Sequence, residues 1–467
     1  MCAVRRVADN RAMSRITNRG NPPPSNAGRT ADGRTAEIAL QQDGQPAARG
    51  AGPGRRRLLR GFSRHAHLVP GNTVQLLPGG QAFFPALIAA IDEAAVQIAL
   101  ETYIYADDAV GNAVADALIR AAARGVSVRL VVDGFGAGGM PAALVGRLEA
   151  GGVQLRIYRP LRGFRLARRH LRRLHRKIAV IDRRIAFVGG INIIDDLNHG
   201  LLAKDTRDTQ DTLGPRYDFA VRLTGPLVPQ VALTTERLWW RIALRKEMHA
   251  IGWAAAAASF PTRTDLPPEP DASPGAYAAL LLRDNLRNRR SIERDYLKAL
   301  GSAREDVILA NAYFLPGRKL QRALLACRRR GVRVRLLLQG QVEYRLQHYA
   351  THALYATLLD AGIEIHEYAD SFLHAKVAVV DETWATVGSS NMDPFSLLLA
   401  REANISVYDP VFCRELRTRL EDAIAHRSRQ VLPHDHARHS ALRRIMHNAA
   451  YLLLRLGVVI AGVAGRY

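Results

Sequence analysis

Cysteine is scarce: the 467 residues hold three, Cys2, Cys327 and Cys413, far apart in sequence and with no Cys-x-x-Cys pair. That distribution excludes a disulfide framework and a zinc knuckle, and it fits a reducing compartment. Aromatic residues make up only 6% of the chain, and acids are outnumbered, 43 against 66 lysines and arginines. A net charge of +23 calls for an anionic partner, whether nucleic acid, a phospholipid surface or a phosphorylated substrate; charge alone does not choose among them. No apolar run follows the early arginines, so neither a secretory signal nor an N-terminal transmembrane helix is expected.

What is present divides the chain. Residues 1–65 carry thirteen arginines and four acids in a Gly-, Pro- and Ala-rich setting with no sustained apolar period, which predicts a disordered basic tail. Beyond it, 48% hydrophobic content over a chain this long supports a sizeable core. Short β-branched runs alternate with amphipathic segments such as Phe84, Leu87, Ile88 and Ile91, the pattern of an α/β architecture with a largely parallel core. The plan then repeats: "RGVSVRLVVDG" from Arg124 matches "RGVRVRLLLQG" from Arg330. The repeat places one lobe at 70–255, a linker at 256–275 around "FPTRTDLPPEPDASPG", a second lobe at 276–430 and a terminal helix at 438–467.

One repeated stretch carries chemistry. "LHRKIAVIDRRIAFVGGIN" (174–192) and "LHAKVAVVDETWATVGSSN" (373–391) keep His175, Lys177, Asp182, Gly189 and Asn192 in register with His374, Lys376, Asp381, Gly388 and Asn391. Residues two apart in a strand share a face, so each histidine lies beside its lysine. Two copies facing one another would surround a phosphodiester with two imidazoles and two ammonium groups. Lysines neutralise the non-bridging oxygens, asparagine amides donate to them, and glycines admit the backbone closely. One histidine can attack phosphorus while the other protonates the leaving alkoxide and later deprotonates the incoming nucleophile. Positive charge is built in, so neither metal nor cofactor is expected.

His-x-Lys-x4-Asp followed by a glycine-rich turn and Asn resembles the signature of the phospholipase D superfamily. Within it, "HRKIAVIDRRIAFVGGIN", "YDFAVRLTGP" and "GSSNMDPFSLLLAREANISVYD" are similar to bacterial cardiolipin synthases of the B type, which lack the paired N-terminal membrane helices of the A type. The similarity spans roughly 70–430. It implies two tandem α/β/α sandwich lobes related by a pseudo-twofold axis, with one active site between them. It further implies a catalytic set of His175, Lys177 and Asn192 with His374, Lys376 and Asn391. Family precedent makes the first histidine the nucleophile, an order that the internal symmetry does not decide. Asp182 and Asp381 belong to the catalytic signature, although their place after apolar runs suits a strand-to-turn role better. Asp218 and Glu402, in matching places after each motif, are expected to orient the imidazoles. Ser390 is a candidate phosphate donor or a turn former.

The implied reaction is phosphatidyl transfer to the glycerol hydroxyl of phosphatidylglycerol through a phosphatidyl-histidine. A phospholipase D that releases phosphatidic acid would use the same residues, and a metal-independent nuclease or phosphodiesterase is the alternative from another substrate class. Residues 159–177 hold nine basic residues and no acid among leucines and a phenylalanine, which suits either nucleic-acid phosphates or an anionic bilayer. The C-terminus decides for lipid. On a helical wheel Arg444, His447, Asn448, Tyr451 and Arg455 form a narrow stripe and apolar residues cover the rest, which predicts an interfacial helix rather than a spanning one, with core packing as the alternative. The expected partners are phospholipids and an anionic membrane surface, with nucleic acid disfavoured. The expected location is peripheral, on the cytoplasmic face of the bacterial inner membrane.

Overall fold

The computed structural model describes residues 67–160, 172–198, 213–251, 261, 274–284, 288–393, 400–434 and 440–458. The predicted tail, most of the linker and most of the basic run lie outside them. The motif stretches fold as hairpins: β5 (Lys177–Ile181) with β6 (Ile185–Gly189), and β12 (Lys376–Val380) with β13 (Trp384–Gly388). Both strands of each hairpin are almost wholly buried, which is why alternation of polar and apolar residues is missing there: each face meets a different apolar layer. Ile178 and Val180 join one cluster while Ala179 and Ile181 join another. Val377 and Val379 divide from Ala378 and Val380 in the same way.

The remaining strands are β1 (Val69–Pro78), β2 (Gln97–Thr102), β3 (Ser127–Asp133), β4 (Gln154–Tyr158), β7 (Phe219–Thr224), β8 (Ala276–Arg283), β9 (Asp306–Asn311), β10 (Arg333–Gln339), β11 (Glu364–Tyr368), β14 (Glu402–Tyr408) and β15 (Ser428–Val431). All fifteen hydrogen-bond into one sheet in the order β15-β11-β10-β9-β12-β13-β14-β8-β1-β7-β6-β5-β2-β3-β4. Read outward from the central β8–β1 pair, the two arms have the same order of equivalent strands, with β15 added at one edge. The sequence repeat has become a twofold sheet. Its outer strands β2–β3–β4 and β9–β10–β11 run parallel, as α/β crossovers require, whereas the motif hairpins and centre are antiparallel.

In the first lobe α1 (Gly79–Asp92), α2 (Ala109–Ala123) and α3 (Ala142–Ala150) bury Phe83, Leu87, Val114, Leu118 and Leu148 against the sheet. In the second, α5 (Ser291–Ser302), α6 (Arg318–Arg329), α7 (Arg345–His352) and α8 (Tyr355–Asp360) contribute Ile292, Leu320, Leu324, Ala350 and Tyr355 to its core. A layer common to both lobes takes Val228 and Val231 from α4 (Val228–Ile251) and Leu416 and Leu420 from α9 (Pro410–His426).

The C-terminal helix α10 (Ala441–Val458) packs on α7. It buries His447, Ala450 and Leu454, with His447 stacked on Tyr349 at 5.7 Å. His447 therefore leaves the polar stripe expected of it and forms part of the docked face; an imidazole can be buried uncharged, whereas a guanidinium cannot. Leu442, Ile445, Met446, Leu452, Leu453 and Leu456 remain exposed.

Candidate active site

Each histidine sits just before its motif strand, where its backbone hydrogen-bonds to the other lobe. Arg401 O accepts from both His175 N and Arg176 N, and Tyr217 O accepts from His374 N at 2.9 Å. These two bridges are twofold equivalents, and they bring the motif ends together at the lobe boundary.

The acids cross over. His175 Nδ1 lies 3.1 Å from Glu402 Oε2, and His374 Nδ1 lies 2.6 Å from Asp218 Oδ2. Each imidazole is thus held by the carboxylate that follows the other motif, so neither lobe contains a complete dyad. A neutral ring with its Nδ1 proton on the carboxylate presents the Nε2 lone pair to substrate. Lys177 Nζ donates to the His175 carbonyl at 2.6 Å, and Lys376 Nζ donates to that of His374, so each ammonium folds back over its own histidine.

Burial dominates the electrostatics. It pushes the His175 imidazole below its usual range against the pull of Glu402, and the His374 imidazole further down with help from Lys376, Lys177 and Arg216. It lowers Lys177 to about 7 and Lys376 to about 8, and raises Asp218 to about 6 against the opposing pull of Lys376. These mutual effects place both histidines and both lysines in one space. Imidazoles held neutral beside lysines that lack full charge compensation make a candidate nucleophile and base at a site fit for an anionic group.

The two half-sites meet their acids differently. A Cβ at Gly190 would collide with both carboxylate oxygens of Asp218, so the first motif needs glycine there. At the equivalent position Ser389 donates from Oγ to Glu402 Oε2 at 2.5 Å, where the longer acid reaches further. The Gly-Gly and Gly-Ser-Ser turns thus match an aspartate and a glutamate. Asn192 is buried and its Oδ1 accepts from Ile104 N at 3.0 Å; Asn391 is also buried, and its Oδ1 has no partner among the described residues. Ser390 is buried beside Asn391, with its N–H facing Asn404 Oδ1 at 3.4 Å.

Asp182 and Asp381 lie apart from the histidines and lysines. Asp182 accepts from the backbone N–H groups of Ala95, Val96 and Gln97 at 2.7–2.8 Å, and Asp381 from those of Arg304, Glu305 and Asp306 at 3.0 Å. Both stand in the left-handed region, at φ 50° and 48°, which aspartate tolerates better than most residues. They close the far ends of the motif strands, seven residues beyond the histidines, which at about 3.3 Å per residue is roughly 23 Å of extended chain.

Three further groups reach the site without a motif to announce them. Tyr103 meets His175 at a tilt of 59° with ring centroids 4.9 Å apart and lies under Lys177 Nζ. Arg216 is buried and bears electrostatically on His374 and Lys376. Glu343 likewise bears on Lys376. All come from strand ends or loops rather than from the repeat.

A sequence profile described as "Cardiolipin synthase, PLD-like domain" matches residues 87–198 and 296–424, one segment in each lobe. The chain is 40% identical over 365 residues to cardiolipin synthase B of Escherichia coli (strain K12), covering 77% of this chain and 82% of that protein. It is 31% identical over 354 residues to cardiolipin synthase A of Pseudomonas aeruginosa (strain LESB58), covering 76% and 67%. The crystal structure of phosphatidylserine synthase from Haemophilus influenzae Rd KW20 superposes with a TM-score of 0.59 at 15% identity over 87% of this chain and 98% of that one, and so shares the fold. A profile that spans both motifs, together with 40% identity to a protein covered over most of its length, shows that the chain belongs to the cardiolipin synthases, phosphatidyltransferases of the phospholipase D superfamily.

Proposed function

We propose that this enzyme transfers a phosphatidyl group from one phospholipid to the glycerol headgroup of phosphatidylglycerol through a phosphatidyl-histidine. The crossed dyads carry the reading: two neutral imidazoles, each with Nδ1 on a carboxylate, sit among two lysines. In the first step His175 Nε2 attacks phosphorus, a P–N bond forms, the P–O bond to the headgroup breaks, and the alkoxide takes a proton from His374. In the second, His374 accepts the proton of the acceptor hydroxyl, the new P–O bond forms and the P–N bond breaks. His374 must be protonated for the first step although burial and the lysines disfavour its charge. The anionic phosphodiester offsets those lysines, so proton uptake accompanies substrate binding.

The decisive measurement is lipid extraction from a bacterial host that lacks its own cardiolipin synthases and expresses this chain. Cardiolipin is the expected product. Phosphatidic acid without cardiolipin would make the enzyme a hydrolase, and metal-free DNA cleavage with neither lipid product would replace the substrate class.

The enzyme works at an anionic membrane surface, on the cytoplasmic face, as a peripheral protein. Among the described residues no helix is long and apolar enough to cross a bilayer. Helix α10 instead docks one face on α7 and leaves six large apolar residues exposed, with Arg444 exposed and Arg455 part-exposed on a neighbouring arc, an arrangement suited to headgroups above and acyl chains below. Changing Leu452, Leu453 and Leu456 together to serine is expected to weaken co-sedimentation with phosphatidylglycerol vesicles at least about tenfold, since each leucine contributes on the order of 1.5 kcal/mol when buried. Unchanged vesicle binding would remove α10 from the membrane contact.

A further inference from the structure

The half-sites are alike in their histidines, lysines and carboxylates but not in what lies beside them. Next to the second motif is a small pocket whose walls include Tyr313, Gln339, Glu343, Tyr344 and Gln347. Tyr313 donates its hydroxyl hydrogen to Glu343 Oε2 at 2.5 Å. The first half has no such pair at the matching position: the bridges Tyr105–Ile193 and Phe314–Met392 are equivalent, which aligns Tyr313 with Ile104.

The pocket adjoins the reacting groups. Its wall residue Ala312 donates from its backbone to Ala375 O at 3.0 Å, between His374 and Lys376. Gln339 Oε1 accepts from Leu373 N at 2.9 Å. Lys376 and Arg216 act electrostatically on Glu343, and Tyr344 acts on Tyr103, the ring that meets His175. Two side-chain atoms of the wall are buried without a hydrogen-bond partner among the described residues, the donor Gln339 Nε2 and the acceptor Gln347 Oε1. Buried polar groups are seldom left unpaired, so a donor and an acceptor of this kind point to a ligand that carries both functions. A hydroxyl carries both.

We infer that this pocket is the alcohol subsite, in which Glu343, Tyr313, Gln339 and Gln347 hold the hydroxyl next to the reacting one in a polyol headgroup. The inference rests on the phosphatidyl-histidine reading above and adds two things to it. It explains how an alcohol can outcompete water, because water fills the attacking position without the second anchor. It also breaks the symmetry between the histidines, since an alcohol held beside His374 passes its proton there, its oxygen bonds to phosphorus, and the P–N bond to His175 breaks to restore a neutral imidazole. Helix α7 supplies Gln347 to the pocket and carries α10 on another side, so the subsite neighbours the helix assigned to the bilayer.

The test uses the full-length enzyme on phosphatidylglycerol vesicles with equal 1,2-propanediol and 1-propanol, followed by mass analysis of every phosphatidyl product. Wild type should favour the diol about tenfold, the ratio expected for one added hydrogen bond. Glu343→Gln, Tyr313→Phe and Gln347→Met should each bring that preference towards unity and lower the ratio of cardiolipin to phosphatidic acid about tenfold. A merely structural role would lower all products together and leave both ratios unchanged, which overturns the subsite, and three variants guard against one failing to fold. If wild type transfers to no alcohol at all, the proposed reaction falls as well, and that outcome is distinct from a loss of preference alone.

Discussion

Replacing His175 by alanine is expected to abolish cardiolipin formation, with a loss on the order of 10^5-fold or more, because residues acting as one catalytic unit fail together. His374→Ala should be nearly as inactive but chemically different. Without its acid and base the enzyme forms the covalent adduct slowly and cannot discharge it, so a phosphatidyl group should accumulate on the peptide containing His175. Mass spectrometry after acid-free digestion checks this directly. The adduct on His374 in the His175→Ala enzyme would reverse the assignment of nucleophile, and no adduct in any variant would dismiss the covalent route. Reversal is a real alternative for a pseudo-symmetric site. The feature set against it is the polar pocket beside His374.

The second large effect belongs to the crossed carboxylates. Glu402→Gln and Asp218→Asn keep size and shape but remove the charge that fixes the Nδ1 proton, and the corresponding change in a serine-protease triad costs about 10^4-fold. A fall of about 10^3-fold or more in kcat is expected for each. Because Glu402 holds His175 and Asp218 holds His374, Glu402→Gln should slow adduct formation, whereas Asp218→Asn should let the adduct persist. Pairing within each lobe would give the opposite result.

Wild-type kcat/KM should also be bell-shaped in pH. Burial raises Asp218 to about 6, so its carboxylate is present above that pH and lost as pH falls through it, giving the acid limb. Burial lowers Lys177 to about 7 and Lys376 to about 8, so their ammonium forms are present below those values and lost as pH rises, giving the alkaline limb. In Asp218→Asn the acid limb should be lost and the alkaline limb should shift to lower pH, because the Asp218 carboxylate raises both Lys376 and Lys177. A profile flat between pH 5 and 9 would contradict both assignments.

The α/β class, the twofold repeat and half of the chemistry are legible in the sequence, whereas the expected largely parallel core is not borne out: parallel pairing is confined to the outer strands. Exact register between residues 174–192 and 373–391 made the twofold visible, since a repeat is a local property of the chain. The period of two put His175 with Lys177 and His374 with Lys376, since strand geometry alone dictates which side chains share a face. Asp218 and Glu402 were recognisable as orienting acids from their matching places in the two copies, and the structure puts a carboxylate at each imidazole.

Which acid serves which imidazole was not legible. Either pairing satisfies the spacing, and only the docking of lobe on lobe, through Arg401 and Tyr217, brings together His175 and Glu402, which are 227 residues apart. The same holds for Tyr103, Arg216, Ser389 and the Tyr313–Glu343 pair, which carry no periodic or repeated signal. It holds too for His447, which local amphipathicity assigned to a polar stripe and tertiary packing buried against Tyr349. By itself the sequence determined the α/β class, the doubled motif and the residue types of the site. Only the tertiary structure decided the cross-lobe pairing, the asymmetry between the halves and the outward face of α10, because those depend on contacts between segments whose separation no local pattern records.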